Sequence, residues 1–337
     1  MQCMARKRTM KKRKLEPAVQ TIVATVPAGT STADLSQMAS LVNRRFYRQG
    51  INWVVAGFRV FKPNATETGA VGFLVSRLPN TWVMGNAWEK GFRHWQELNK
   101  RAIEAGESLP GRFTDFKVYM DDTHHAAGSG NNLLPIDANG TVASAGEWEY
   151  SKFVIPDSNS PGTTDNREVV AIGANYPGAG ASGLDAVSLI DGYANSRALP
   201  SIEDPNTPAD ASSISGFAAE NWLGALDNEG TNQLTGVVAD LTTENSIAPY
   251  PFENGANPAG GTFGDTQYPG GANQLPGLQL VDAAYFSSGT NSNKLFLKGD
   301  NFPCGLVRFV SDQEVTVCID LVPGTHRGYL CEPMTEM

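Results

Sequence analysis

The sequence predicts an all-β fold, a sandwich or jelly roll with helices and long loops inserted. Three observations predict it. Short runs rich in Val, Ile, Phe, Tyr, Trp and Thr recur between turn signals along the chain. Gly (35) and Pro (20) together exceed the share of about 12% usual in ordinary domains. Charged residues make up 18% of the chain, against roughly 25% in soluble domains at large. Such a composition favours turns and ordered loops over a helical bundle. At 337 residues the chain is long enough to bury a large core, as one domain with insertions or as two.

Strands are expected at Gln20–Val26, Ile51–Lys62, Val71–Leu78, Phe113–Met120, Glu147–Ile155 and Glu168–Ile172. A second group follows at Leu278–Phe286, Lys294–Leu297, Leu306–Val310, Glu314–Leu321 and Arg327–Cys331. One helix stands out at Ala87–Ala105. Asn86 is its expected cap, with Glu89 three residues on as in a capping box. Trp88, Phe92, Trp95, Ala102 and Ile103 form its apolar stripe, and Glu89–Arg93 and Glu97–Arg101 are spaced as ion pairs on its wet face. Gly106 supplies the stop. Shorter helices are expected at Leu184–Leu199 and Phe217–Asp227.

Charge is distributed along a gradient. Residues 1–14 hold seven basic side chains (Arg6, Lys7, Arg8, Lys11, Lys12, Arg13, Lys14) and no acid. Residues 121–337 hold seven basic and twenty-seven acidic residues, and the stretch 198–293 has no Lys or Arg at all. The first 16 residues are too charged and too poor in apolar groups to offset the entropy of ordering, so a disordered arm is expected there. The acidic stretch, dense in Gly, Pro, Asn and Thr, reads as a long loop-rich insertion.

Clustered Lys and Arg neutralise phosphates and release counterions. The two packed runs of the arm therefore point to a nucleic-acid contact or a nuclear localisation signal, not to the spaced basic face of an organelle presequence. A second set, Arg44, Arg45 and Arg48, stands beside Phe46 and Tyr47. It fits either a base-stacking surface or a turn that enters the first long strand with Phe46 in the core. No stretch approaches the roughly 20 apolar residues of a membrane span.

Catalytic signals are weak. Asp121, Asp122, His124 and His125 (DDTHH) carry metal-ligating groups, yet their position after an expected strand reads first as a solvated turn. Asp204, Asp210, Glu220 and Asp227 are carboxylates of the kind a glycosidase pairs, but any acidic loop offers as many. No nucleophile elbow, phosphate-binding loop or dinucleotide fingerprint is present. Cys304, Cys318 and Cys331 lack zinc-site spacing and are expected as buried or half-buried thiols. No catalytic role and no cofactor are expected.

Five segments carry a family likeness: LPNTWV at 78–83, NAWEKGF at 86–92 with Trp95, RFTDFKVYM at 112–120, GEWEYS at 146–151 and VPGTHRGYLCEPM at 322–334. In these the chain resembles the capsid proteins of circular Rep-encoding single-stranded DNA viruses, the environmental kind related to circoviruses. The resemblance implies a single jelly-roll domain, an antiparallel eight-stranded β-sandwich over 17–337, carrying the arm at 1–16 and the acidic insertion at about 198–293. It implies self-assembly into an icosahedral shell, packaging of a single-stranded DNA genome by the arm, and use of host nuclear import machinery. Virion and host nucleus are then the expected locations. Arms in this family are often longer and richer in Arg. Here the arm is short and about half Lys, which leaves weak DNA packaging, or import as its main task. The reading from another class is a secreted or surface carbohydrate-binding protein or glycoside hydrolase with acidic loops.

Overall fold

A computed structural model describes residues 17–62, 71–109, 111, 114–156, 163–198, 213–214, 218–219, 277–286 and 293–337. In chain order these form β1 (Thr21–Val26), β2 (Gly29–Asp34), α1 (Leu35–Asn43), β3 (Ile51–Phe61), β4 (Val71–Arg77), α2 (Trp82–Ala105) and α3 (Asp122–Ala127). Next come β5 (Lys152–Pro156), β6 (Thr164–Val170), β7 (Ala186–Ser188), α4 (Leu189–Ala198), β8 (Ser213–Ile214) and β9 (Ala218–Ala219). The C-terminal part contains β10 (Gln279–Phe286), β11 (Lys294–Lys298), β12 (Asn301–Phe302), β13 (Leu306–Ser311), β14 (Val315–Leu321), β15 (Pro323–Gly324), β16 (Gly328–Tyr329) and β17 (Cys331–Pro333). The architecture is mostly β, in antiparallel sheets, with few helices.

Alternation of apolar and polar residues decides which face each strand buries. In β14, Val315, Val317, Ile319 and Leu321 point inward while Thr316, Cys318 and Asp320 stay half-exposed. In β1, Ile22, Ala24 and Val26 do the same. Strand β3 changes phase midway. Trp53 and Val55 are buried, then Phe58 and Val60, and the register against β14 slips between Asp320 and Leu321. The slip is a bulge, which lets one long strand keep its apolar side inward at both ends. Gly299 passes close over it. A side chain there would place its Cβ 2.0 Å from the Val55 carbonyl oxygen, so only glycine fits.

Two sheets result. The first runs β1-β14-β3-β11, with β12 and β17 also pairing β3, and the second runs β10-β4-β13-β2. Four antiparallel pairs nest by sequence position: β1 with β14, β2 with β13, β3 with β11, and β4 with β10. Two further pairs, β14–β3 and β13–β4, join these into sheets. Phe58, Phe302, Phe309 and Phe73 pack ring to ring in the first core, with centroids 5.6–5.7 Å apart. Each such pair adds about 0.5–1.5 kcal/mol beyond the area it buries.

The described residues between β4 and β10 include α2, α4 and a small sheet outside the two main ones. A second core joins Leu306 and Cys304 to α2, α4 and a small sheet, β5-β6-β7, in which β6 and β7 are parallel. Phe116 sits at its centre, 5.6–6.0 Å from the rings of Trp88, Phe92, Trp95 and Phe153.

Several local expectations shift. Helix α2 starts at Trp82, five residues before the expected start. Thr81 caps it by accepting from the Met84 amide (3.4 Å). The early turn is buried through Val83 and Met84, and the Asn86 side chain donates through Nδ2 to the Tyr193 hydroxyl (3.4 Å). Trp88, Phe92 and Trp95 keep the expected stripe, but Ala102 is exposed because the last turns run past the core. Both i,i+4 ion pairs form. The run expected as a strand at Phe113–Met120 makes a single bridge, Tyr119 to Val170. Glu147–Ile155 becomes a strand only from Lys152. Most of the helix expected at Phe217–Asp227 lies outside the described residues, and its Ala218 and Ala219 pair with Ser213 and Ile214 as short strands. Strand β2 and helices α1 and α3 were not expected, although Leu35, Met38, Ala39 and Val42 of α1 recur at helical spacing behind the Asp34 cap. Apart from residue 198, β8, β9 and the segments 277–286 and 293, the acidic stretch lies outside the described residues.

Candidate nucleic-acid interface

Helix α1 ends because Arg44 adopts a left-handed conformation (φ 52°), and its amide donates to the Ser40 carbonyl. The turn brings Arg45 Nη1 to the Pro17 carbonyl at 3.2 Å. Two more bonds fix the chain just after Pro17. The Val19 amide donates to Asn43 Oδ1 (3.0 Å), and the Tyr329 hydroxyl donates to the Val19 carbonyl (2.7 Å). The segment that follows the basic arm therefore starts beside Arg45.

Arg44 and Arg48 are exposed and Arg45 is half-buried. A fourth guanidinium joins them from the far end of the chain. Arg327, exposed and with φ 49°, donates through Nη1 to the Phe46 carbonyl. Burial, and then the charges of Arg327 and Arg48, hold His326 below its ordinary value. Arg6, Lys7, Arg8, Lys11, Lys12, Arg13 and Lys14 lie outside the described residues.

The base-stacking surface loses one of its two rings. Tyr47 is buried against Trp53 (5.9 Å), Tyr329 (5.5 Å) and His326 (6.4 Å), and its hydroxyl donates to the Arg327 carbonyl (3.0 Å). Phe46 is only half-buried, so it is Tyr47 and not Phe46 that enters the core. Arg327 was legible only as part of a turn, PGTHRG. Nothing local says that this turn packs on residues 280 positions earlier.

The DDTHH segment is not a solvated turn. Asp121 caps α3 by accepting from the His124 amide (2.9 Å), and it pairs with the buried guanidinium of Arg308. His124 and His125 are each 2% exposed, with their rings edge-on to Tyr119 at 5.1 and 5.2 Å. His124 Nδ1 accepts from the Met120 amide (3.0 Å), so Nε2 carries the proton and donates to Asn132 Oδ1 (2.7 Å). Burial, above all, depresses its pKa to about 3 and keeps it neutral. With both ring nitrogens committed, His124 has no lone pair to offer a metal. His125 Nε2 and the Ser182 hydroxyl both meet Glu168 Oε2, at 2.9 and 2.8 Å. Burial works to raise the Glu168 pKa, but these bonds outweigh it and hold it below the usual carboxylate value. Among the described residues no group of three or more His, Cys, Asp or Glu side chains is placed to hold a metal ion.

The same network continues to Asp34 at the start of α1. Asn132 donates to Gln37 Oε1 (2.8 Å) and to the Tyr150 hydroxyl (3.0 Å). Asp34 caps α1 through the amides of Ser36 and Gln37 (3.0 and 3.3 Å). Its second oxygen accepts from Gln49 Nε2 (2.9 Å) and Trp148 Nε1 (3.2 Å). Asp34 is wholly buried, and burial raises its pKa against the pull of these bonds. A carboxylate enclosed in this way ties the second sheet to the insertion. It has no open face for a substrate.

Asp115 accepts from the Gln49 amide (3.1 Å), and burial, the largest cause, raises its pKa to about 6. An acid whose pKa is raised on folding holds its proton more tightly in the folded chain. Its stabilising contribution is complete below the unfolded value near 4 and is lost as pH rises to about 6. The rise is worth roughly 2–3 kcal/mol. Urea unfolding between pH 4 and 7 is expected to show Asp115→Asn flattening this part of the stability profile. An unchanged slope in the variant contradicts the assignment.

Cys304 is buried, with its amide directed at Met334 Sδ (3.3 Å), while Cys318 and Cys331 are half-buried, and all three are free thiols. Burial pushes Cys331 up to about 12, leaving it a poor nucleophile at neutral pH. Asp204, Asp210, Glu220 and Asp227 lie outside the described residues. No helix among the described residues is long and apolar enough to cross a membrane. Comparison with family models, with curated proteins and with solved structures returns no match.

Proposed function

We propose that this chain is a self-assembling β-sandwich subunit of the jelly-roll kind. More particularly, we read it as the coat protein of a small circular single-stranded DNA virus of the type its sequence resembles. Its task is to close into an icosahedral shell around the genome, with the basic arm on the DNA and also serving nuclear import.

The nested strand pairing carries this reading. Take β1, β2, β3, β4, β10, β11, β13 and β14 as eight successive strands. The first then pairs with the eighth, the second with the seventh, the third with the sixth and the fourth with the fifth. A long hairpin ribbon wrapped once around a core makes this pattern, with two Greek keys as its outcome. Jelly rolls serve several functions, so the arm is the second support. The seven basic residues at 1–14 precede Pro17, whose carbonyl accepts from Arg45, and Arg327 bonds the neighbouring Phe46 carbonyl, which supports a cationic surface where the arm joins the body. The acids lie mostly beyond residue 120, so the rest of the surface repels nucleic acid.

Electron microscopy and sedimentation of the full chain, purified with and without nuclease, test the proposal. Closed particles of uniform diameter that protect single-stranded DNA are expected. A monomer at every salt and protein concentration tried would overturn it.

A further inference from the structure

The loop between α1 and β3, which carries Arg44, Arg45 and Arg48, is gripped from two sides. On one side Arg327 donates to the Phe46 carbonyl. The Tyr47 hydroxyl donates to the Arg327 carbonyl (3.0 Å), and the Tyr47 ring lies 6.4 Å from the ring of His326. On the other side the Gln49 amide donates to Asp115 Oδ2 (3.1 Å). The buried Gln49 side chain accepts from the Val118 amide (2.6 Å) and donates to the Val118 carbonyl (3.1 Å). Arg48 is the exposed residue between these two anchors.

Each anchor ends in a group that titrates in mild acid. Asp115 is faced by Lys117 from its own segment, by Arg48 from the loop and by Asp34 from the end of β2. The nearby Cys304 thiol, between β12 and β13, is buried and stays protonated. Burial raises the Asp115 carboxyl to about 6 even against its two cations. His326 is faced by Arg327 from its own turn and by Arg48 from the loop, and burial and these charges hold it below its ordinary value. The two signs agree. At neutral pH Asp115 is ionised and His326 is neutral. As pH falls through about 6, the carboxylate beside Arg48 and Lys117 takes up a proton and its negative charge is lost. Further acid places a positive charge on His326, on the other side of Arg48. Both changes make the surroundings of Arg48 more positive.

We propose that Asp115 and His326 make the body's hold on single-stranded nucleic acid stronger in acid, with Arg48 as the phosphate contact that they tune. Both are positioning residues in this scheme, since each acts through Arg48. The inference rests on the nucleic-acid reading above. It adds a dependence on pH that the arm cannot supply, because the arm's Lys and Arg keep their charge throughout this range.

Fluorescence anisotropy of the full chain with labelled oligothymidylate, at constant low salt between about pH 7.5 and about pH 5, tests it. Thymine does not titrate there, so the response belongs to the protein. The unaltered chain is expected to bind more tightly as pH falls. Asp115→Asn removes the charge but keeps an acceptor for the Gln49 amide. It is expected to bind at least about threefold more tightly than the parent at the upper pH, and to gain less on acidification. His326→Gln is expected to lose part of the gain at the acid end. In an Arg48→Gln background the effect of Asp115→Asn is expected to disappear. Each variant is checked for an unchanged circular dichroism spectrum. An Asp115→Asn chain that binds no more tightly than the parent at the upper pH would overturn the inference. So would a gain that persists in full without Arg48. Binding whose pH profile neither substitution alters removes the inference and leaves the nucleic-acid reading standing. A full chain that binds no strand at any pH brings down both.

Discussion

Removing residues 1–14 is expected to abolish nucleic-acid retention and to leave the body folded. Seven phosphate contacts to a single strand give a salt slope of roughly −5 on a log–log plot, at about 0.7 per contact. Affinity for a labelled single strand then falls about 10³-fold between 50 and 200 mM salt in the full chain. In the truncated chain that dependence shrinks to what Arg44, Arg45, Arg48 and Arg327 supply. Arg44→Gln with Arg48→Gln is expected to remove a further slope of roughly 1.4. The body survives because the contacts that fix its first strand begin at Pro17, with Arg45 on its carbonyl and Asn43 and Tyr329 on Val19. Fluorescence anisotropy across a salt series makes the measurement. Equal affinity and equal slope with and without the arm would remove it from the nucleic-acid site.

Asp34→Ala weakens the fold by about 2–4 kcal/mol. Loss of a helix cap costs about 1 kcal/mol, and each buried donor left without an acceptor costs about 1–3. Here the orphaned groups are the Ser36 and Gln37 amides and the indole N–H of Trp148, while Gln49 keeps its second acceptor, the Val118 carbonyl (3.1 Å). Asp34→Asn retains one acceptor oxygen and turns the other position into a donor facing Gln49 and Trp148. It is expected to fall between the parent and the alanine variant. Urea midpoints at constant slope give both numbers. An alanine variant as stable as the parent would mean that the network contributes nothing net.

Strands with strict alternation were legible because burial follows sequence parity directly. β1, β14 and the two halves of β3 fall where the pattern of Val, Ile and Phe puts them. Strand β2, GTSTAD, has no such pattern, because its edge is covered from outside and its apolar content is one Ala33. The start of α2 was misread because a strong local cap signal at Asn86 competed with Thr81, and tertiary burial of Val83 and Met84 favoured the earlier cap. At the candidate interface, Arg44 and Arg48 were legible as exposed charges. The burial of Tyr47 was not, since RRFYRQG gives two neighbouring aromatics and only packing against Trp53 and Tyr329 chooses between them.

The sequence by itself determined the β class, the long amphipathic helix and the separation of a basic head from an acidic remainder. These depend on composition and short-range periodicity, which each segment carries alone. The tertiary structure decided which strands nest as pairs, that Arg327 bonds the Phe46 carbonyl next to Arg45, and that DDTHH is a buried cap and not a turn in water. Each of these depends on contacts between residues far apart in the chain. Their free energy comes from burying surface and pairing polar groups together, and no single segment shows it before its partner arrives.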